Sequence, residues 1–429
     1  MIPSKRIVMA TFGSLGDLHP YLAIGIGLRA RGHRVVITTQ RSYREKVEAT
    51  GLEFHAAGAD LKDYADEQAL MARVMHVTEG PEFVIRDMVV SRLRQTYDEL
   101  AVAVEGADML ITHPLAMAGH LIAEKQGAHL TWGGVVLAPS SLWSAYDPPI
   151  LAPMPALRHL YPLGPSVFRL LLRYMKHTVS PWTKPWHDLR RELGLPPTGN
   201  DPLFEGQFSP DFNLALFSPL LGAPQSDWPA NTYATGFPFY DHHEGNTTLP
   251  PALAAFLDAG DPPLVFTLGS SAVRDAGAFY EHSAQAAQAL GRRAVLLIGP
   301  DPRNRPTVPL PSSIAAFDYA PYSALLPRAA AIIHQGGVGT TGQAMLAGRP
   351  MLVVPFGFDQ PDNAARVVRL GIARTIPRRA YTARRATAEL AKLLQNPQYT
   401  ARAAEVGRTV AKENGVKTAC DIIEANFRP

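Results

Sequence analysis

Residues 332–341 read Ile332-Ile333-His334-Gln335-Gly336-Gly337-Val338-Gly339-Thr340-Thr341, and the apolar run feeding them begins at Ala331. A short apolar run, a glycine turn and a segment able to continue helically to Ala347 predict a buried strand turning into a helix. The rhythm recurs on both sides. Leu264-Val-Phe-Thr-Leu268 is followed by Gly269-Ser-Ser271, a helix to about Leu290, and the strand Ala294-Val-Leu-Leu-Ile298, while Met351-Leu-Val-Val354 feeds a further helix. The first half opens in the same way. Arg6-Ile-Val-Met-Ala-Thr-Phe12 predicts a strand, Gly13-Ser-Leu-Gly16 a turn, and Pro20 to Arg31 a helix with its proline near the first turn. After Gly32 comes the strand Arg34 to Thr39, and Met109 to Thr112, Ala116 to Lys125 and Leu130 to Gly133 repeat strand, helix, strand. Strand, helix and strand within about 35 residues require a parallel pair.

At 429 residues the chain is too long for one core, since domains run roughly 100–200 residues. The expected fold class is α/β, with two doubly wound Rossmann-like domains facing across a cleft. Gly236 to Pro263 is rich in Gly, Pro, His and Asp, with loop signals at Asn246-Thr-Thr and Gly260-Asp-Pro-Pro263. The expected division is residues 1–236, a linker at 237–262, a second domain at 263–410, and a helix at 411–429 packing back on the first domain.

Composition narrows the function classes. Hydrophobic residues make up 46% and charged residues 18%, enough apolar material for sizeable cores. Lys+Arg 41 against Asp+Glu 38 leaves +3, too small and too scattered an excess for a nucleic-acid binder. A single cysteine, Cys420, excludes an intrachain disulfide and a thiolate metal cluster. No stretch reaches the ~18 apolar residues of a membrane span. The run Ile7 to Leu15 meets Asp17 and His19 without a cleavage site, which argues against a signal peptide and for a cytoplasmic protein. Pro148 to His187 stands apart, with Arg158, Arg169, Arg173, Lys176 and Lys184 and no acid. Val167 to Met175 reads as an amphipathic helix. The favoured reading lays its apolar face on its own domain; the other lets it touch an anionic membrane surface from the cytoplasmic side.

The chemistry gathers at the glycine turns. In 332–341 the glycines let backbone N–H groups approach an anion, and the helix start adds the positive end of its dipole. His334 and a threonine hydroxyl add side-chain donors. This is a diphosphate cradle without the lysine of a Walker loop, so ordinary ATPase chemistry is disfavoured. Pro355-Phe-Gly-Phe-Asp359-Gln360 offers a carboxylate beside an amide, suited to a polyhydroxylated ligand, although Asp359 reads equally well as a helix N-cap.

Together with Asp318-Tyr-Ala-Pro-Tyr322 and Leu325-Leu-Pro327, these two runs resemble the donor-binding signature of family 1 glycosyltransferases with the GT-B fold. Gly13-Ser-Leu-Gly-Asp17-Leu-His-Pro20 with Gly32-His33 is similar to the N-terminal signature of the bacterial branch, as are Phe237-Pro238 and Phe266-Thr-Leu-Gly-Ser270 to its rhamnosyltransferase and sterol glucosyltransferase-like members. The resemblance covers nearly the whole chain. It implies that His334, Gly337, Gly339 and Thr340 hold a donor diphosphate, Asp359 and Gln360 the transferred sugar, and Tyr319 and Ala320 the nucleobase. Where plant members carry a glutamate that holds both ribose hydroxyls, this chain has Gly342-Gln343, which favours a dTDP-sugar over a UDP-sugar. Where plant members place a catalytic histidine, this chain has Asp17, the implied general base of an inverting, metal-independent transfer. No Asp-x-Asp occurs, and no cofactor beyond the nucleotide-sugar cosubstrate is implied.

Asp17 also suits a plain helix cap ahead of Pro20. His113, just after a strand, either lies near Asp17 or lines the acceptor site, and His19 is a third candidate. Trp143 and Tyr146, in the aromatic and aliphatic stretch from Leu137, suggest a greasy acceptor such as a polyphenol, terpenoid, sterol or hydroxy-lipid. The expected partners are thus a small hydrophobic molecule, no nucleic acid and no obligate protein. Two rival readings share the fold: a nucleotide-sugar epimerase, and a non-catalytic sugar-nucleotide or lipid-binding partner protein. A dinucleotide oxidoreductase is disfavoured, because Gly25 to Ala30 falls inside the first helix and Thr38-Thr-Gln40 offers no acid to a ribose.

Overall fold

The computed structural model describes residues 3–60, 63–241 and 248–428; the loop signal at Asn246-Thr247 lies outside the described residues. Within them the strands form two sheets, parallel throughout. The first has seven strands in the order β3-β2-β1-β4-β5-β6-β7: β1 (Arg6–Ala10), β2 (Arg34–Thr39), β3 (Glu53–Ala56), β4 (Met109–Thr112), β5 (Thr131–Val136), β6 (Phe212–Ala215) and β7 (Thr232–Ala234). The second has six in the order β10-β9-β8-β11-β12-β13: β8 (Leu264–Thr267), β9 (Ala294–Leu297), β10 (Ile314–Phe317), β11 (Ala331–His334), β12 (Met351–Val353) and β13 (Ala373–Thr375). The helices that position chemistry are α1 (Leu15–Ala30), α2 (Met117–Gln126), α3 (Pro165–Glu192), α4 (Val338–Leu346), α5 (Gln360–Arg369) and α6 (Gly415–Ala425).

Central strands are covered on both faces, which is why they read as unbroken apolar runs instead of alternating. Met9 sits between Ile37 and Ile111, and Ile333 between Phe266 and Leu352. Each sheet reverses its strand order once, between β1 and β4 in the first and between β8 and β11 in the second. Chain leaving adjacent strands at such a point diverges to opposite faces and opens a crevice at the carboxyl edge.

The chain divides into two compact units, with boundaries that differ from the sequence expectation. Unit 1 holds the residues up to Pro149, Met154–Tyr240 and those from Asn414; unit 2 holds Ile150–Pro153 and Asp241–Glu413. The expected 237–262 linker is therefore not a free connection. Residues Pro251–Asp258 form a helix that buries Leu253 and Leu257, four residues apart, in unit 2. Ile150 belongs to unit 2 because its N–H donates to the buried carboxylate of Asp362 at 3.0 Å.

α1 starts earlier than expected. Ser14 is its N-cap and Pro20 lies inside it, because the Ser14 cap satisfies the first turn well ahead of the proline. The segment after Gly269 is a short helical turn followed by a separate helix, Phe279–Ala289, not one continuous helix. α3 is longer than the expected 167–175 and runs through Pro181 and Pro185. Burial of Phe168, Trp186 and Leu189 on one face, with Trp186 Nε1 donating to Met117 O at 3.1 Å, outweighs the prolines' missing bonds.

α6 completes unit 1 by lying on α1. Ala419, Cys420 and Ile423 are fully buried there, and Cys420 Sγ approaches Ile24 O at 3.7 Å. Around that apolar seam Arg31 donates to Asp421 at 2.8 Å and to Glu424 at 2.6 Å, and His33 Nε2 lies 3.0 Å from Glu424. Burial alone would raise the Glu424 carboxyl, but the His33 and Arg31 contacts hold it below its ordinary value. The approach is close because Gly27 lacks a side chain: a Cβ there would stand 2.9 Å from both Cys420 Sγ and Val416 Cγ1. Gly27→Val should therefore lose roughly 1–3 kcal/mol by overpacking, more than the few tenths regained in helix propensity. The urea midpoint should fall at unchanged m-value; an unchanged midpoint would show that α6 does not clasp α1.

Candidate functional site

The crevice at the β1–β4 switch is built by a capping box. Ser14 Oγ accepts from Gly16 N–H at 3.2 Å and donates to Asp17 Oδ2 at 3.0 Å, while Ser14 N–H donates to the same oxygen at 2.7 Å. Asp17 is thus the third residue of α1, not the N-cap itself. Gly13, at φ +126°, permits this turn: a Cβ there would sit 2.4 Å from Asp17 Oδ2. From the adjacent strand comes His113, whose N–H continues the sheet ladder to Ala10 O at 2.9 Å. Its Nδ1 accepts from Leu115 N–H at 3.0 Å, which leaves the ring proton on Nε2, 3.4 Å from Asp17 Oδ1.

An inventory follows from these contacts. A carboxylate has about four lone-pair sites. Two on Oδ2 face Ser14 and one on Oδ1 faces His113, so one site on Oδ1 remains for a ligand hydroxyl. The Asp17 side chain is 29% exposed and that of His113 only 6%, so solvent reaches the acid and not the imidazole. His19, on the same helix turn, packs its ring 5.1 Å from that of Tyr240. Behind the pair His120 is buried against Trp132, ring centroids 5.4 Å apart, and Trp132 Nε1 donates to Thr112 at 2.8 Å.

Of the acceptor-side candidates, Trp143 adopts the left-handed conformation at φ 53°. It turns inward, Nε1 donating to Leu203 O at 3.3 Å and its ring 5.0 Å from Phe204. Tyr146 points outward beneath the Arg169 guanidinium, 5.4 Å from the ring centre. Asp227 pins the segment between them through Ser144 Oγ at 2.6 Å and Ala145 N–H at 2.7 Å. Both aromatics follow β5, at the same carboxyl edge as Asp17 and two strands away.

In unit 2 the β8–β11 switch carries the glycine turn. Gly337 is the N-cap of α4, and the first intrahelical bond runs from Thr341 N–H to Gly337 O at 2.9 Å. The amides of Val338, Gly339 and Thr340 precede it and point out of the helix start. A Cβ at Gly339 would have no protein atom within 4 Å, so this turn is open. At Gly336, φ +92°, a Cβ would instead stand 2.8 Å from Val353 Cγ1. The loop after β8 closes the other side: a Cβ on Gly269 would lie 2.4 Å from Gln335 Nε2 and 3.3 Å from Thr340 Oγ1.

His334 is placed differently from the expectation of an anion donor. Its ring is fully buried, Nδ1 accepts from Gly336 N–H at 3.1 Å, and Nε2 lies 3.4 Å from Met351 Sδ. Burial drives its pKa down to about 3, so it is a neutral post that holds the glycine turn. Asp359 occupies the N-cap position of α5 but its side chain does not cap. Oδ2 instead accepts from Asn363 Nδ2 at 2.6 Å, and the same nitrogen reaches Gly336 O at 3.0 Å. Asn363, which sequence reasoning missed, therefore ties the two loops together; its spacing of four from Asp359 on a helix was the available signal. Gln360 Oε1 accepts from Phe356 and Gly357 N–H at 2.8 and 3.2 Å, bracing a turn in which exposed Phe358 is held at φ 54°. Tyr319 is 40% exposed and Ala320 fully buried, adjacent to Tyr322, whose OH lies 2.7 Å from Thr267 Oγ1. Among the described residues, Gln335 Oε1, Thr341 Oγ1 and Asn363 Oδ1 are buried acceptors around this turn that no protein donor meets.

His19, His120 and His334 are each driven from the ordinary 6.5 to about 3, by burial first, with Lys46 adding at His19 and His113 at His120. Between those values the unfolded chain binds protons that the folded chain refuses. Stability is thus intact above pH 6.5 and falls as pH drops toward 3, by up to about 1.4 kcal/mol per pH unit for each histidine. His120→Gln should flatten that slope by about one histidine's share, read from urea midpoints across the acid range.

Comparison with known proteins adds a separate line. Residues 7–129 match the glycosyltransferase family 28 N-terminal domain, and residues 287–421 the erythromycin biosynthesis protein CIII-like C-terminal domain. The chain is 33% identical over 436 residues to O-mycaminosyltylonolide 6-deoxyallosyltransferase of Streptomyces fradiae, covering 98% of this chain and 97% of that protein. It is 28% identical over 433 residues to sterol 3-beta-glucosyltransferase of Yarrowia lipolytica, covering 97% of this chain but only 28% of that longer protein. The solved glycotransferase of kitacinnamycin matches with a TM-score of 0.73 at 24% identity, over 99% of this chain and 100% of that one.

Proposed function

Because the chain belongs to the family 1 glycosyltransferases of the two-domain GT-B type, we propose that it transfers a 6-deoxyhexose such as rhamnose from a dTDP-sugar to a hydroxyl of a hydrophobic natural product or sterol-like acceptor. The observation that carries this reading is the single open lone-pair site on Asp17, at one switch point, in a chain whose other switch point presents an open helix start.

In the proposed reaction the acceptor oxygen attacks the anomeric carbon while Asp17 Oδ1 takes its proton. The new bond is acceptor oxygen to anomeric carbon; the bond that breaks joins that carbon to the donor phosphate oxygen, so the configuration inverts. His113 cannot serve as the base, since its Nε2 carries the proton and its Nδ1 is occupied by Leu115 N–H. It is a positioning residue that orients Asp17. Charge growing on the departing diphosphate is met by the amides of Val338, Gly339 and Thr340 and by the α4 dipole. His334 acts through Gly336, and Asn363 through Gly336 and Asp359, by holding the loops that present those donors.

Donor and acceptor choice have their own supports. Gly342 and Gln343 supply no carboxylate at the ribose position, which favours a deoxyribose donor. The Streptomyces fradiae relative is named for a 6-deoxyallosyl group and for an O-mycaminosyltylonolide acceptor. Exposed Tyr319 offers a face for stacking the base, and Asp359, joined to the glycine turn through Asn363, would meet the sugar together with Gln360.

Asp17→Asn should lower turnover by about 10²–10⁴ while calorimetric binding of dTDP stays nearly unchanged. Substantial turnover in that variant would defeat the assignment. Release of dTDP should also depend strictly on an added alcohol, which separates transfer from epimerisation. In competition, dTDP should displace a labelled donor at least as well as UDP, and chelator should leave the rate intact. A strong preference for UDP, or loss of activity on chelation with recovery on adding magnesium, would overturn the donor reading.

A further inference from the structure

α3 has two faces, and only one of them is explained by the fold. Phe168, Thr183, Trp186 and Leu189 are buried in unit 1, yet Leu170 is 60% and Tyr174 69% exposed, and Leu163 just before the helix is 68% exposed. At 100° per residue, Leu170, Arg173, Tyr174, His177 and Lys184 fall within one outward arc of the helix. Apolar side chains and cations therefore share a single convex surface; residues 148–187 contain no acid, although Lys184 pairs with Asp188 at 2.6 Å. Arg158 and Arg173 carry no ion pair among the described residues, and Arg169 rests over Tyr146. Lys176 belongs elsewhere, pairing with Glu205.

A solvated helix face has no use for large apolar groups in water, and aliphatic groups such as Leu163 and Leu170 give a nucleic acid nothing to stack on. A ridge of leucine and tyrosine beside the unpaired Arg173, with the unpaired Arg158 in the helical segment that leads into α3, matches the interface of a bilayer with anionic headgroups, where the apolar groups enter and the guanidiniums meet phosphate. We infer that the outward face of α3, with Leu163 and Arg158, is a docking surface for an anionic lipid bilayer. The inference is independent of which donor or acceptor the enzyme uses.

The test is co-sedimentation of the full chain with vesicles of phosphatidylcholine alone and of phosphatidylcholine mixed with phosphatidylglycerol. The chain should sediment with the mixed vesicles, weakly or not at all with the neutral ones, and high salt should release it. Removing one cation should lower partitioning about fivefold, so the double variant Arg158→Ala/Arg173→Ala should bind about 25-fold more weakly. Leu170→Ser/Tyr174→Ser should weaken binding as well, whereas Arg408→Ala, on an exposed position of unit 2, should leave it unchanged. Circular dichroism and melting of each variant verify the fold. Failure to sediment with either vesicle, equal partitioning onto both, or loss of binding in Arg408→Ala equal to that in the double variant would each overturn the inference. Retention of an acidic protein in place of vesicles would count against it too.

Discussion

Within each sheet every described strand runs parallel to its neighbours, and the placement of the chemistry follows from that constraint. A parallel strand must be left at its carboxyl end and re-entered from the other edge, so all the loops that can carry function collect on one side. Where strand order reverses, two neighbouring loops part, and the side chains at their roots become accessible. Asp17 and His113 stand at the roots of the loops after β1 and β4; Gly269, Gln335 and Gly339 stand after β8 and β11. The same topology, used twice, presents a carboxylate in one unit and a helix start rich in free amides in the other.

At each of these points long-range contacts, His113 to Asp17 and Asn363 to Gly336, are joined by local ones. Oδ2 of Asp17 is fixed by a residue three positions away, and His334 by one two positions away. Such contacts cost little chain entropy to form, and they hold the functional groups even where the surrounding loops are irregular. The buried histidines fit the same logic. Burial keeps each of them neutral, so each packs as a spacer rather than as a charge, and His334 adds one specific bond by accepting from Gly336 N–H. The buried acceptors on Gln335, Thr341 and Asn363 concentrate unmet hydrogen-bonding capacity beside the glycine turn, where a hydroxyl-rich ligand has donors to give.

Much of the architecture was legible because buried parallel strands announce themselves as apolar runs and glycines mark the turns that follow. Edge strands were not: β3, β7 and β13 are short and only partly buried, so Glu53-Phe-His-Ala56 or Thr232-Tyr-Ala234 carries no run long enough to read. The start of α1 was misplaced because a proline usually marks a first turn, whereas here a serine cap six residues upstream had already begun the helix. In the site, residue identities were readable but directions were not. Spacing shows that a histidine ends β11; it does not show that both ring nitrogens turn inward. Asn363 escaped because its spacing of four from Asp359 gains meaning only once the loop it holds is known.

The return of α6 to α1 has a consequence for how the molecule is made. Ile24 and Cys420 touch across 396 positions of sequence. A ribosome therefore delivers the whole of unit 2 while the first unit still lacks the helix that covers its apolar seam. Leu28, Ile24 and the groove at Gly27 are bare throughout that interval, and the unit begun first is the one finished last.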